Sequence, residues 1–323
     1  MRFWGLLVLA LSACVTAQDP VAEGGLEGEF APAGAGGKSD SATPAGGKGS
    51  LHRLQIEHGA FPAEGAAPNV IVYLPPGFVA TPPVDVVVFL HGHLNCVDTV
   101  IGAVPKSCNP SLRTPARTAH NLLAQLDATK KNAVLVVPEL QRDKADSSPG
   151  ALDEEGGLAA LLRDSFAKVP ALAAVDTEQD LGGLQVISHS GGYKAAAGIA
   201  RRGGHPVTDL VLLDSLYGLD DEFYGWVEEW PYAFYLPRDR RFSIVYSLGA
   251  GTLAPSQALF GRFADLFDPG DAKDFLVDDR TTGTLPDSAY KKSLIGKRTG
   301  LGHDALVRFY FGKLVATSDL QSR

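Results

Sequence analysis

Residues 184–196 read LQVISHSGGYKAA. An apolar run stops at a serine held between a histidine and two glycines, then becomes alanine-rich. The first half has the β-branched character of a buried strand, and the second half has that of a helix. A hydroxyl set where a strand breaks sharply into a helix needs a reason, and the flanking sequence decides what it is.

The same alternation runs outward on both sides. VDVVVFL (84–90) and AVLVVPEL (133–140) are solidly apolar runs of the kind expected for strands buried on both faces. TDLVLLD (208–214) and RFSIVYSL (241–248) read as two further strands, and LHRLQIEH (51–58) and NVIVYLPP (69–76) as two near the start. Between them lie helical patterns: 115–131, with Pro115 in the first turn; 156–169; 191–204, closed by glycines; and 303–315. This predicts an α/β fold with a mostly parallel sheet and helices on both faces, spanning one domain over 51–323. Functional residues in such sheets gather at the carboxyl ends of the strands.

Those ends carry a pattern. His91-Gly92-His93 follows the third strand, Ser188-His189-Ser190-Gly191-Gly192 the fifth and Asp214 the sixth, and Gly302-His303-Asp304 precedes the last helix. Ser, Asp and His in that chain order resemble the α/β-hydrolase family over most of 51–323, and the SHSGG stretch resembles its nucleophile elbow G-x-S-x-G. Ser188 stands where the pattern has its first glycine.

The resemblance implies a serine hydrolase, an ester being its expected substrate, small or polymeric. Ser190 would be the nucleophile, His303 its base and Asp214 the acid that orients the histidine. The backbone N–H groups of Gly191 and His93 would form the oxyanion hole, with Leu94 the rival of His93. An acid after the sixth strand resembles the arrangement in some lipases; Asp220, Asp221, Asp265 and Asp268 are its competitors. Ser190 as a plain helix N-cap and His303 as a surface cap are the structural alternatives. His52, His58, His120 and His205 lie too early in the chain or on helices and turns. No metal or organic cofactor is implied. Acyl transfer or peptide cleavage would use the same residues, and a non-catalytic surface binding protein would use the same fold.

Residues 217–235, YGLDDEFYGWVEEWPYAFY, hold eight aromatics between the sixth and seventh strands. They suggest a lid or cap around 216–240, or helices packing on the sheet.

The first 14 residues, MRFWGLLVLALSAC, have a basic start, a short apolar core and small residues before Cys14, the layout of a secretory signal. Leu11-Ser12-Ala13-Cys14 resembles the bacterial lipobox. That implies lipidation of Cys14 and a membrane anchor, with outer membrane or cell surface expected; the alternative is a plain signal cut near Ala17, leaving a periplasmic or extracellular protein. Residues 15–50 are rich in Gly, Ala, Pro and Ser and read as a flexible tether with a reach of roughly 30–36 Å. Of the 3 cysteines, Cys96 and Cys108 then remain, and in an oxidising compartment a disulfide is expected rather than two free thiols. The net charge of −8 offers no basic face and argues against nucleic acid as a partner.

Overall fold

A computed structural model describes residues 49–109, 114–140, 148–234 and 240–323. The 1–14 signal with Cys14, and the 15–50 tether but for its last two residues, lie outside the described residues.

Nine strands form one sheet: β1 (Ser50–Leu54), β2 (Val70–Leu74), β3 (Val84–Leu90), β4 (Ala133–Pro138), β5 (Leu181–His189), β6 (Asp209–Leu213), β7 (Arg241–Tyr246), β8 (Leu276–Asp279) and β9 (Leu294–Arg298). Their order is β1-β2-β4-β3-β5-β6-β7-β9-β8. β1 and β2 pair antiparallel, as do β2 and β4, and every other pairing is parallel. The carboxyl ends of β3, β5, β6 and β7 therefore sit side by side on one edge.

The longer helices are α1 (Leu122–Thr129), α2 (Gly157–Ala167), α3 (Tyr193–Arg202), α4 (Asp220–Glu228), α5 (Leu253–Leu266) and α6 (Ala305–Ala316). The period-2 alternation of the strands divides their side chains between two cores. Val86, Val88 and Leu90 of β3 join Val186, Leu212 and Ile244 beneath α2, α3, α4 and α5. Val87 and Phe89 join Ile187, Val211 and Val245 beneath α1 and α6. The unbroken apolar run of β3 is explained by this double burial. Among the described residues, no helix is long and apolar enough to cross a membrane.

Three sequence expectations need correction. The helix read over 115–131 begins only at Leu122, because Asn121 is left-handed at φ 55° and Ala116–Arg117 pair instead with Lys106–Ser107. The strand read over 51–58 ends at Leu54. β8 and β9 had no counterpart in the sequence reading, since LVDD and LIGKR carry charges in a strand. Lys297 of β9 is fully buried, and its ammonium donates to Asp279 of β8 at 2.6 Å and to Thr281 O at 2.9 Å. The pair closes that edge of the sheet with each charge compensated.

Cys96 and Cys108 form the expected disulfide. It ties the start of the short helix Val97–Val100 to the hairpin formed by Lys106–Ser107 and Ala116–Arg117, beside the end of β3.

Candidate active site

β5 delivers Ser190 onto the sheet edge in a left-handed conformation, φ 51°, which costs a non-glycine residue about 1–2 kcal/mol. The chain then enters a tight turn over Ser190–Gly192 and continues as α3. Two neighbours must be glycine for this to fit. A Cβ on Gly192 would stand 2.6 Å from Leu90 O, and a Cβ on Gly92 would stand 2.7 Å from Ser190 Cβ. Ser188 fits where the elbow pattern has glycine because its hydroxyl is absorbed. It donates to Ser215 Oγ at 2.9 Å, and Ser215 Oγ donates to Ser190 O at 2.8 Å. This chain of hydroxyls joins the ends of β5 and β6 beneath the elbow.

Asp214, at the end of β6, is also left-handed (φ 47°) and fully buried. Its Oδ2 lies 2.8 Å from His303 Nδ1. The same carboxylate accepts from Ser247 N at 3.0 Å, from Ser247 Oγ at 2.6 Å and from Thr252 Oγ1. Burial pushes the Asp214 carboxyl up, but the hydrogen bonds from His303, Ser247 and Thr252 outweigh it and hold the group below its usual range. Asp214 is therefore an ionised acceptor at neutral pH. His303, one-third exposed, precedes α6. The rival carboxylates lie elsewhere: Asp220 and Asp221 pair with Arg262, Asp265 is exposed, and Asp268 caps a helix through Gly270 N–H.

Ser190 and His303 line one cleft of about 300 Å³, together with Gly92, His93, Arg117 and Asp304. The His91-Gly92-His93 turn on its rim closes through Asn95 N–H to Gly92 O at 3.3 Å, with Leu94 left-handed at φ 57°. That is the geometry of a type II turn, in which the third residue has positive φ. His91 is buried and fastens the turn: Nδ1 lies 2.9 Å from Gly92 O, and Nε2 accepts from Leu140 N–H at 2.9 Å. His93 is exposed and Gly191 buried.

Several residues of the site were not singled out from the sequence. Ser247 and Thr252, which hold Asp214, follow β7 in a stretch without carboxylates; their position at a strand end was the signal. Tyr217, three residues past Asp214, stands over the site with its ring 6.4 Å from that of His303. Its phenol is pushed up to about 12 by burial and by the Asp214 charge, so it remains protonated. The rest of the aromatic stretch divides. Phe223, Trp226 and Phe234 are buried in the core, with Arg240 stacked over Trp226, whereas Trp230 and Tyr232 are exposed. Tyr235 lies outside the described residues.

Behind His303 stand two further histidines. The His189 ring is 4.6 Å from that of His303, and the His120 ring is 5.1 Å from that of His189. Burial is the main cause that holds the His189 imidazole well below its ordinary range, and it pushes His120 down to about 3. His120 thus belongs to the surroundings of the site, contrary to its sequence position, and it precedes α1 rather than lying within a helix. His52 and His58 pair with Ser50 and Asp164 at a distance from the cleft.

No protein-family model matches the chain, and no curated protein matches it. Solved structures do. The feruloyl esterase module from Clostridium thermocellum, an S954A mutant complexed with sinapinate, is 11% identical at TM-score 0.51, over 87% of this chain and 92% of that one. A structure named FAE is 13% identical at TM-score 0.48, over 85% and 89%. A ferulic acid esterase is 11% identical at TM-score 0.42, over 84% and 97%. At such identities the likeness concerns the fold, and it rests on the first of the three. The chain has the α/β-hydrolase fold.

Proposed function

We propose that this protein is an exported serine hydrolase that cleaves a carboxylic ester through Ser190, His303 and Asp214. The observation that carries this reading is the 2.8 Å contact between His303 and a buried, ionised Asp214, with the left-handed Ser190 in the same cleft. Asp214 accepts from His303 Nδ1–H, which leaves Nε2 as the ring's basic nitrogen. Nε2 takes the Ser190 proton as Oγ attacks the ester carbonyl, and Asp214 stabilises the imidazolium that forms. The backbone N–H groups of Gly191 and His93 receive the oxyanion. The imidazolium then protonates the leaving alcohol. Water, deprotonated by His303, releases the acid from the acyl-enzyme.

An ester is favoured over an amide because the structure that carries the fold likeness is named as a feruloyl esterase module. Tyr217, whose ring lies 6.4 Å from that of His303 and 6.2 Å from that of Tyr193, suits a substrate with an apolar acyl group and supports reading 216–240 as a cap. Lipidation of Cys14 would tether the domain through 15–50 to a membrane surface, a reading supported by the sequence LSAC.

The test is turnover of p-nitrophenyl esters beside matched anilides and a primary-alcohol acceptor. Ester hydrolysis that disappears in Ser190→Ala is expected. Anilide cleavage at equal efficiency, or transfer to the alcohol in place of hydrolysis, would redirect the assignment to a peptidase or an acyltransferase. No turnover by folded protein would leave a binding role.

A further inference from the structure

The geometry points to a divalent transition-metal site formed by His120, His189 and Asp304, directly behind His303. One ligand atom from each of the three lies within 4.8 Å of the others. They come from distant places in the chain: the turn before α1, the end of β5 and the start of α6. Two ligands on one Zn²⁺, each about 2.0–2.1 Å from the metal at a tetrahedral angle, stand roughly 3.3 Å apart. His189 Nε2 and Asp304 Oδ1 are 3.8 Å apart, so that pair closes with a few tenths of an ångström at each atom, and the widest pair, within 4.8 Å, draws in by up to about 1.5 Å.

The cluster is more than proximity. His120 is fully buried, and neither of its ring nitrogens has a hydrogen-bond partner. A buried imidazole with neither nitrogen paired leaves its acceptor desolvated, and a bound metal ion takes up that lone pair. The ligating residues are also held in place. Gln125 Nε2 donates to His120 O at 2.7 Å, Arg308 Nε donates to Ala119 O at 2.8 Å, and Thr118 Oγ1 donates to Asp304 Oδ2 at 2.7 Å. The last bond leaves Oδ1 turned toward His189 and fixes the carboxylate in the way outer partners orient metal ligands. Two imidazoles and one carboxylate select Zn²⁺, Co²⁺ or Ni²⁺ over Ca²⁺ or Mg²⁺. His189 and Asp304 line the cleft, which gives the ion its path and leaves a coordination position facing solvent. His189 gives up its 3.2 Å contact with His303 O when it binds metal.

The consequence for chemistry rests on the hydrolase reading. Metal binding takes His189 off His303 O and draws in the adjoining Asp304, which shifts the backbone that holds His303 against Asp214. Zn²⁺ bound here slows the serine.

Chelator-treated full-length protein is titrated with Zn²⁺ by calorimetry and with Co²⁺ by visible absorption. One equivalent is expected to bind, with ligand-field bands for Co²⁺, and the affinity is expected to fall at least tenfold in both Asp304→Asn and His120→Phe. Asp304 is half-exposed, so its variant reports even where the His120 variant does not fold. No binding to wild type, or equal binding by the Asp304 variant, overturns the site. Fluorophosphonate labelling of Ser190 is then compared with and without Zn²⁺. Slowing in wild type that is absent in Asp304→Asn is expected. Binding without slowing leaves the site and overturns its action on His303. Labelling absent in metal-free and loaded protein alike counts against the hydrolase reading, and the binding result stands by itself.

Discussion

Replacing Asp214 by Asn keeps shape and volume but changes which atoms can accept. The carboxylate receives four hydrogen bonds: Ser247 N–H and Thr252 Oγ1 on Oδ1, Ser247 Oγ and His303 Nδ1 on Oδ2. A backbone N–H can only donate, so Ser247 N pins the amide oxygen to the Oδ1 side. The amide NH₂ is then forced onto the Oδ2 side. Ser247 Oγ tolerates it, because a hydroxyl can accept. His303 Nδ1–H cannot, so the ring must move its proton to Nε2, the nitrogen needed as a base. The fold loses about 1.5–3 kcal/mol, the scale of one charged hydrogen bond. The reaction loses far more: a triad histidine in the wrong tautomer costs roughly 10⁴-fold in rate, about 5.4 kcal/mol at 1.36 kcal/mol per tenfold. The assay is the rate constant for ester hydrolysis, measured beside denaturant unfolding of the same preparation. An Asn variant that is stable yet slowed 10³- to 10⁴-fold is expected. One within tenfold of wild type would refute the tautomer reasoning.

Four further outcomes follow from the same geometry. Gly92→Ala brings a methyl within 2.7 Å of Ser190 Cβ; unfolding experiments should show a loss of about 1–3 kcal/mol, and ester hydrolysis should fall by up to about 100-fold as Ser190 is displaced. Ser190→Gly should be more stable than Ser190→Ala by about 1 kcal/mol, because only glycine is free of strain at φ 51°; equal melting midpoints would argue against the strained elbow. Loss of the Cys96–Cys108 bridge, 12 residues apart, should cost roughly 3 kcal/mol, read as a drop in unfolding free energy for the double Ser variant. The Asp214 carboxyl is lowered from 3.8 in the folded state. Its stabilising contribution is thus complete above 3.8 and lost as pH falls through the lower folded value; the acid limb of stability against pH should be shallower in Asp214→Asn.

The sheet was legible because its central strands bury both faces, so VDVVVFL and LQVIS could not be taken for surface segments. The order of Ser190, Asp214 and His303 was legible because each stands at the end of such a strand or before a helix. What escaped depended on contacts distant in sequence. β9 hides behind Lys297, whose burial is tolerated only because Asp279 of β8 lies against it. Gly296 beside it is needed because a Cβ there would stand 2.8 Å from the Phe260 ring. The false start of α1 came from a helix-like composition overridden by pairing with Lys106–Ser107 and by the left-handed Asn121. His120 and His189 are 69 residues apart in sequence, and no local spacing reveals that their rings meet. The hydroxyls of Ser215, Ser247 and Thr252 are common residue types whose role appears only when β5, β6 and β7 are set side by side.

The most direct test of the central claim is to treat folded protein with a fluorophosphonate and locate the adduct by mass spectrometry. A single adduct on Ser190, absent after His303→Ala, is the result predicted. An unlabelled folded protein, or an adduct on Ser190 that persists at the same rate without His303, would contradict it.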